Sequence, residues 1–217
     1  MRELRRGQAR RELKWFAALP KWQVTTGFDQ VGWPASRWVL HRMYRTAGLG
    51  SLTAPDDANR LRWVPLLADL GVNPSAQDLP PSLAWFPWQP WPTNILPPEE
   101  GSLEAEDLDA LLDVLATHSA DGPEQECIAY FGGLSTMDFD TVNMYQLPLR
   151  RVPELLSDNG GKFRATPSNL WPTDHSWFVW TDWDLLGTKV SGSEGLMLSL
   201  EAQPDLEVIE WRKPDGL

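Results

Sequence analysis

The densest run of polar chemistry is NLWPTDHSWFVWTDWDLLGTKVSGS, residues 169–193. In an extended chain side chains alternate between faces, so Trp177, Val179, Thr181 and Trp183 share one side while Phe178, Trp180, Asp182 and Asp184 share the other. Asp182 and Asp184 then project together near the strand end. Two such carboxylates can hold a divalent cation or split their pKa values for acid and base work, so the same pair supplies the metal and the catalytic candidates. His175, between Asp174 and Ser176, is the imidazole a general base beside them would use. The structural reading of D-x-D is a strand running out into a polar turn, with Lys189 folded back across a hairpin to neutralise the pair. A second pair, Asp138 and Asp140 in STMDFDTVN, would make four carboxylates if the two met in space, enough for a metal or for a surface facing a basic partner.

Other signatures of chemistry are missing from the sequence. It has no G-x-S-x-G elbow, no phosphate-binding G-x-x-x-x-G-K-[ST], no G-x-G-x-x-G and no H-E-x-x-H. The lone Cys127 rules out an intramolecular disulfide and a cysteine-based zinc site, reads as a small hydrophobe in a strand, and favours a cytoplasmic location. His118 falls at the end of an acidic helix, where an imidazolium suits the dipole, and His41 in a second helical segment. The tryptophans at 171, 177, 180, 183 and 211 offer an aromatic pocket, but packing between sheet and helices is the preferred reading. No cofactor is implied.

Those residues need elements to hold them. Residues 2–17 are Pro-free and rich in helix formers, which predicts a basic N-terminal helix. They lack the long apolar core of a secretion signal, and no apolar run in the chain approaches the ~18 residues of a membrane span. GWPASRWVLHRMYRTAG, with Pro34 at a first-turn position, predicts a second helix, and PDDANRLRWVPLLADLG a third, from about Asp56 to Gly71. Residues 73–98 hold eight prolines and three tryptophans, which excludes a regular helix or a central strand. GSLEAEDLDALLDVLATHSADG predicts a helix capped by Ser102, with an acidic outer face. CIAYFGG, TVNMYQLPL, SWFVWTDWD, GTKVSGS and LEVIEW read as strands, RVPELLSDNGG as a short helix, and GLMLSLEA as either. The fold class is α+β: a helical part (1–72), a Pro/Trp-rich connector (73–98), and a domain (99–217) built on a mainly antiparallel sheet with two or three packed helices.

Charge adds a location. The net −11 divides into +7 over residues 1–63, −14 over residues 64–149, which contain no Lys or Arg, and −4 over residues 150–217. Either the basic N-terminal part pairs with the acidic middle, or the middle faces a basic partner through Glu104, Glu106, Asp109, Asp113, Asp138 and Asp140. Nucleic acid is disfavoured, because neutralising phosphates needs clustered cations and only Arg2, Arg5, Arg6, Arg10, Arg11 and Lys14 are clustered.

The block WPTDHSWFVWTDWDLLGTKVSGS with LEVIEW after it resembles a Trp-rich protein family of high-GC soil bacteria, and GWPASRWVLHRMYR resembles the N-terminal part of such proteins. The resemblance covers about half the chain and implies no activity, so it assigns no catalytic residue. In style the chain is similar to immunity and antitoxin-type proteins. The expectation is a protein-binding module, leaning away from an enzyme, that engages a basic partner and no membrane. The alternatives are a metal-dependent hydrolase or transferase built on Asp182 and Asp184, and a structural subunit of a larger assembly.

Overall fold

The strands that organise the molecule come from both ends of the chain. A computed structural model describes residues 1–18, 32–46, 59–137, 140, 142–157 and 160–212. In chain order these contain β1 (Arg2–Glu3), α1 (Arg6–Ala18), β2 (Ala35–Leu40), β3 (Met43–Arg45), β4 (Arg60–Leu61), α2 (Trp63–Asp69), β5 (Ile95–Leu96), α3 (Ala105–Thr117), β6 (Glu126–Phe131) and α4 (Gly133–Thr136). There follow β7 (Asn143–Pro148), β8 (Asn169–Pro172), β9 (Phe178–Thr181), β10 (Gly187–Gly192), α5 (Glu194–Ala202) and β11 (Val208–Ile209). One eight-stranded sheet has the order β1-β7-β6-β8-β9-β10-β2-β11, antiparallel at every pairing, and a small sheet has the order β4-β3-β5. The class is α+β on an antiparallel sheet. Among the described residues no helix is long and apolar enough to cross a membrane.

Both faces of the large sheet are covered, so its central strands are apolar on both sides. Val39, Ala129, Val179 and Val190 face a core completed by α3, α5 and a 3-10 helix at Leu149–Leu155. Their chain neighbours Trp38, Ile128, Phe178 and Trp180 face a second, aromatic core completed by α1, α2 and the Pro/Trp segment. This double burial explains the largest departure from expectation. Residues 34–48 were expected to be helical, yet they form β2 and β3, and the residues beyond 46 lie outside those described. A run apolar at consecutive positions, Trp38-Val39-Leu40, satisfies a helix pattern and a two-sided strand equally, and pairing with β10 on one side and β11 on the other settles it. The N-terminal part is therefore not all-helical: it supplies an inner strand to the sheet of residues 126–209.

Smaller departures have local causes. The third helix is shorter than expected and starts at Trp63, where both oxygens of Glu207 accept backbone N–H groups, from Trp63 and Val64, at 2.8 Å each. Residues 51–58, where that expectation began, lie outside the described residues. Helix α3 begins at Ala105, not behind Ser102, whose hydroxyl instead accepts the Thr166 N–H at 3.1 Å. Its exposed face carries Glu106, Asp109 and Asp113, but Asp107 turns inward and is fully buried. Strand β8, NLWP, was not anticipated; GLMLSLEA is the helix α5. The Pro/Trp segment holds only 3-10 turns and short β5, with Trp85 and Phe86 buried against Trp63.

Candidate functional site

Strand β9 ends at Thr181, so Asp182 and Asp184 sit in the turn that follows it, with the Asp184 N–H directed at Asp182 Oδ1 at 3.5 Å. Burial first, then the hydrogen bond and charge of Asp184, push the Asp182 carboxyl up to about 7. The turn is held against the chain before α3. Gly101 donates its N–H to the Leu185 carbonyl at 2.9 Å, and at φ +68° it lies so close that a Cβ would stand 2.6 Å from the Trp183 Cα. Trp183, between the two carboxylates, is 48% exposed. The pair can hold a proton near neutrality. Lys189 does not reach over to it: it is buried on the aromatic side of the sheet, in register with Trp180 and Trp38, with its ammonium 5.7 Å from the Trp38 ring centroid.

The other candidates do not gather around this pair. His175 precedes β9 while Asp182 follows it, so the strand separates them. The His175 ring stacks on Trp15 of α1 at 3.8 Å, and burial lowers its pKa. Asp140 lines a cleft of about 570 Å³ between α1 and the start of β7, together with Glu3, Arg6 and Arg10. Asp138 lies outside the described residues. Three strand boundaries separate β7 from β9, roughly 14 Å at ordinary strand spacing. Among the described residues no three His, Cys, Asp or Glu side chains group as a metal site.

Two buried networks were not read from the sequence. His41 Nδ1 faces the Glu99 carbonyl at 2.7 Å, Nε2 faces Thr188 Oγ1 at 3.0 Å, and Thr188 Oγ1 lies 2.9 Å from Thr181 Oγ1. In the neutral ring the proton belongs on Nδ1, which donates to the Glu99 carbonyl, while Nε2 accepts from the Thr188 hydroxyl. Burial lowers the His41 pKa to about 4, partly offset by the Glu99 contact. The second network joins the basic and acidic parts of the chain. Arg42 Nε donates to Asp107 Oδ1 at 2.8 Å, Arg60 Nη2 lies 3.7 Å from the same oxygen, and Tyr44 donates to Glu104 Oε2 at 2.5 Å. Helical phase carries the signal for Asp107, which shares the stripe of Leu111 and Leu115.

Of the acidic surface candidates, Glu104 is thus engaged internally, while Glu106, Asp109 and Asp113 remain exposed on the outer face of α3. Partial burial and then the Asp113 and Glu106 carboxylates raise the Asp109 pKa, a sign that this ridge carries uncompensated charge. Helix α5 lies alongside, joined through His118 Nε2 and Ser199 Oγ at 2.7 Å, and adds Glu194 and Leu198, the latter 65% exposed. Cys127 is buried and its thiol is pushed up by burial. Comparison with family models, curated proteins and solved structures found no match to this chain.

Proposed function

We propose that this chain is an acidic protein-binding module, of the kind found among immunity and antitoxin-type inhibitors, that works in the cytoplasm and docks a basic protein partner on the outer surface of α3 and α5. The observation that carries this reading is the ridge Glu106, Asp109 and Asp113, exposed and mutually repelling in an 86-residue stretch without Lys or Arg. Opposite charge on a partner relieves that repulsion and steers encounter. Leu198, exposed on the neighbouring helix α5, offers a partner an apolar contact. The test is affinity capture from the native host with the wild-type chain and with a Glu106→Gln, Asp109→Asn, Asp113→Asn variant, across a salt series. Capture that weakens with salt and in the variant is expected; capture indifferent to both overturns the reading.

A second reading is favoured by one arrangement, the part-buried Asp182 set beside Asp184 in the turn after β9, where burial and the neighbouring carboxylate push its carboxyl up to about 7. A pair so poised suits proton transfer in a hydrolase or transferase, with a divalent cation as the notable co-ligand. Calorimetric titration with Mg²⁺, Mn²⁺ and Ca²⁺ before and after Asp182→Asn decides it, and heat-silent titrations of both forms would remove the metal-dependent version.

A further inference from the structure

The basic counterpart to the α3 ridge is present in the same chain, on the other side of the sheet. Helix α1 packs on the aromatic face through Ala9, Leu13 and Trp15, whereas α3 packs on the opposite face. Outward from α1 point Arg6, Arg10 and Lys14 at i, i+4 and i+8, flanked by Arg5 and Arg11, all exposed and none ion-paired to another described residue. Against these five cations the described residues set Glu12 on the helix itself and Glu3 and Asp140 in the cleft below it. That cleft, about 570 Å³, has Arg6 and Arg10 at its wall and Leu4, Ala9, Leu13 and Val142 as its apolar lining, a concave seat for a helix ridge. Opposite charge on opposite faces cannot meet within one molecule.

We infer that α1 and its cleft dock the Glu106–Asp109–Asp113 ridge of a second copy, so that the chain associates head to tail. This rests on the proposal that the α3 surface is a docking face and names its occupant. The contact is heterologous, since the two surfaces differ, and it propagates from copy to copy into rings or open rows instead of closing as a two-fold dimer. At physiological salt the screening length is about 8 Å, so the −11 repulsion between whole molecules is damped while groups in contact still attract.

Sedimentation velocity over a concentration series tests it, using wild type, an acid-face variant (Glu106→Gln, Asp109→Asn, Asp113→Asn) and a basic-face variant (Arg6→Gln, Arg10→Gln, Arg11→Gln), each checked for native circular dichroism. Wild type is expected to form species that grow with concentration at about 0.1 M salt and revert to monomer at about 0.5 M. Each variant alone is expected to be monomeric, and an equimolar mixture to give a dimer and nothing larger, because each copy then contributes one intact face. Wild type that stays monomeric at low salt, or a mixture that gives no dimer, overturns the head-to-tail contact. If capture of a host protein still depends on the α3 ridge in that case, the docking surface stands and only its occupant was wrong. Association abolished by the basic-face variant but untouched by the acid-face variant defeats the head-to-tail contact, and the docking surface then stands or falls on the capture experiment alone.

Discussion

Asp107 shows how an acidic residue can belong to the core. Burial raises the pKa of its carboxyl and Arg42 and Arg60 lower it, so removing it takes away the carboxylate that two largely buried guanidinium groups share. Asp107→Ala is expected to destabilise by about 3–5 kcal/mol in urea denaturation, while Asp113→Ala on the exposed face changes it by less than about 0.5 kcal/mol. His41 and Asp182 make opposite contributions to pH dependence. His41 titrates at about 4 when folded and near 6.5 when unfolded. The unfolded chain therefore binds the extra proton in that window, and stability falls as pH drops from about 6.5 to about 4, by up to about 3 kcal/mol. Asp182 titrates at about 7 when folded against 3.8 unfolded, so its contribution is present below about 4 and is lost as pH rises to about 7. Asp182→Asn is accordingly expected to be more stable than wild type at pH 7, by about 1 kcal/mol once solvent screening at this partly exposed site is allowed for. It should also show the His41 slope unmasked, read as a urea midpoint that declines more steeply between pH 6.5 and pH 4.

At the level of elements, two long-range clamps stand in for local signals. The start of α2 is capped by Glu207, 144 residues away from Trp63 in the chain. Glu207→Gln keeps one acceptor and is expected to cost about 1 kcal/mol, and Glu207→Ala about 2 kcal/mol, measured as thermal or urea shifts. Gly101→Ala combines a left-handed φ with contact against the Trp183 backbone, and is expected to cost at least about 2 kcal/mol while loosening the Asp182–Leu185 turn. Neither clamp is visible locally, since a cap is normally sought within one turn of the helix. Helix α3 was legible from its one-sided stripe of Leu108, Leu111, Leu112 and Leu115, and β6 and β9, although buried on both faces, were legible as short apolar runs closed by turns. Two-sided burial without a nearby turn signal was not: the apolar run of β2 continues into His41-Arg42-Met43-Tyr44 and read as a helix, and β8, only four residues ending at Pro172, was missed. The carboxylate pair was legible as a pair because two residues only two positions apart, even in the turn that follows β9, need no tertiary information. Its isolation from Asp140 and His175 was not legible, because that depends on the order of strands.

For the molecule as a whole, the order β10-β2-β11 removes any clean division between an N-terminal part and residues 99–217. A fragment of residues 99–217 lacks the strand between β10 and β11 together with the α1 and α2 cover of the aromatic face. It is expected to show no cooperative unfolding transition, whereas the full chain is expected to unfold in one step by circular dichroism and tryptophan fluorescence alike. The Trp content belongs to this scale too. Trp38, Trp63, Trp85, Trp171, Trp177 and Trp211 are almost wholly buried, so the aromatic seams seal layers together and leave Trp183 as the one strongly exposed indole among the described residues. The placement of β2 also bears on the order of biosynthesis. Leu40 leaves the ribosome long before its partner Gly187, about 150 residues later. At ordinary elongation rates that is roughly 10–30 s during which Trp38-Val39-Leu40 has neither neighbouring strand. The nascent chain must carry this apolar segment unpaired until synthesis has nearly reached β11, which makes it the natural grip for a ribosome-associated chaperone and makes premature termination before β10 a route to aggregation.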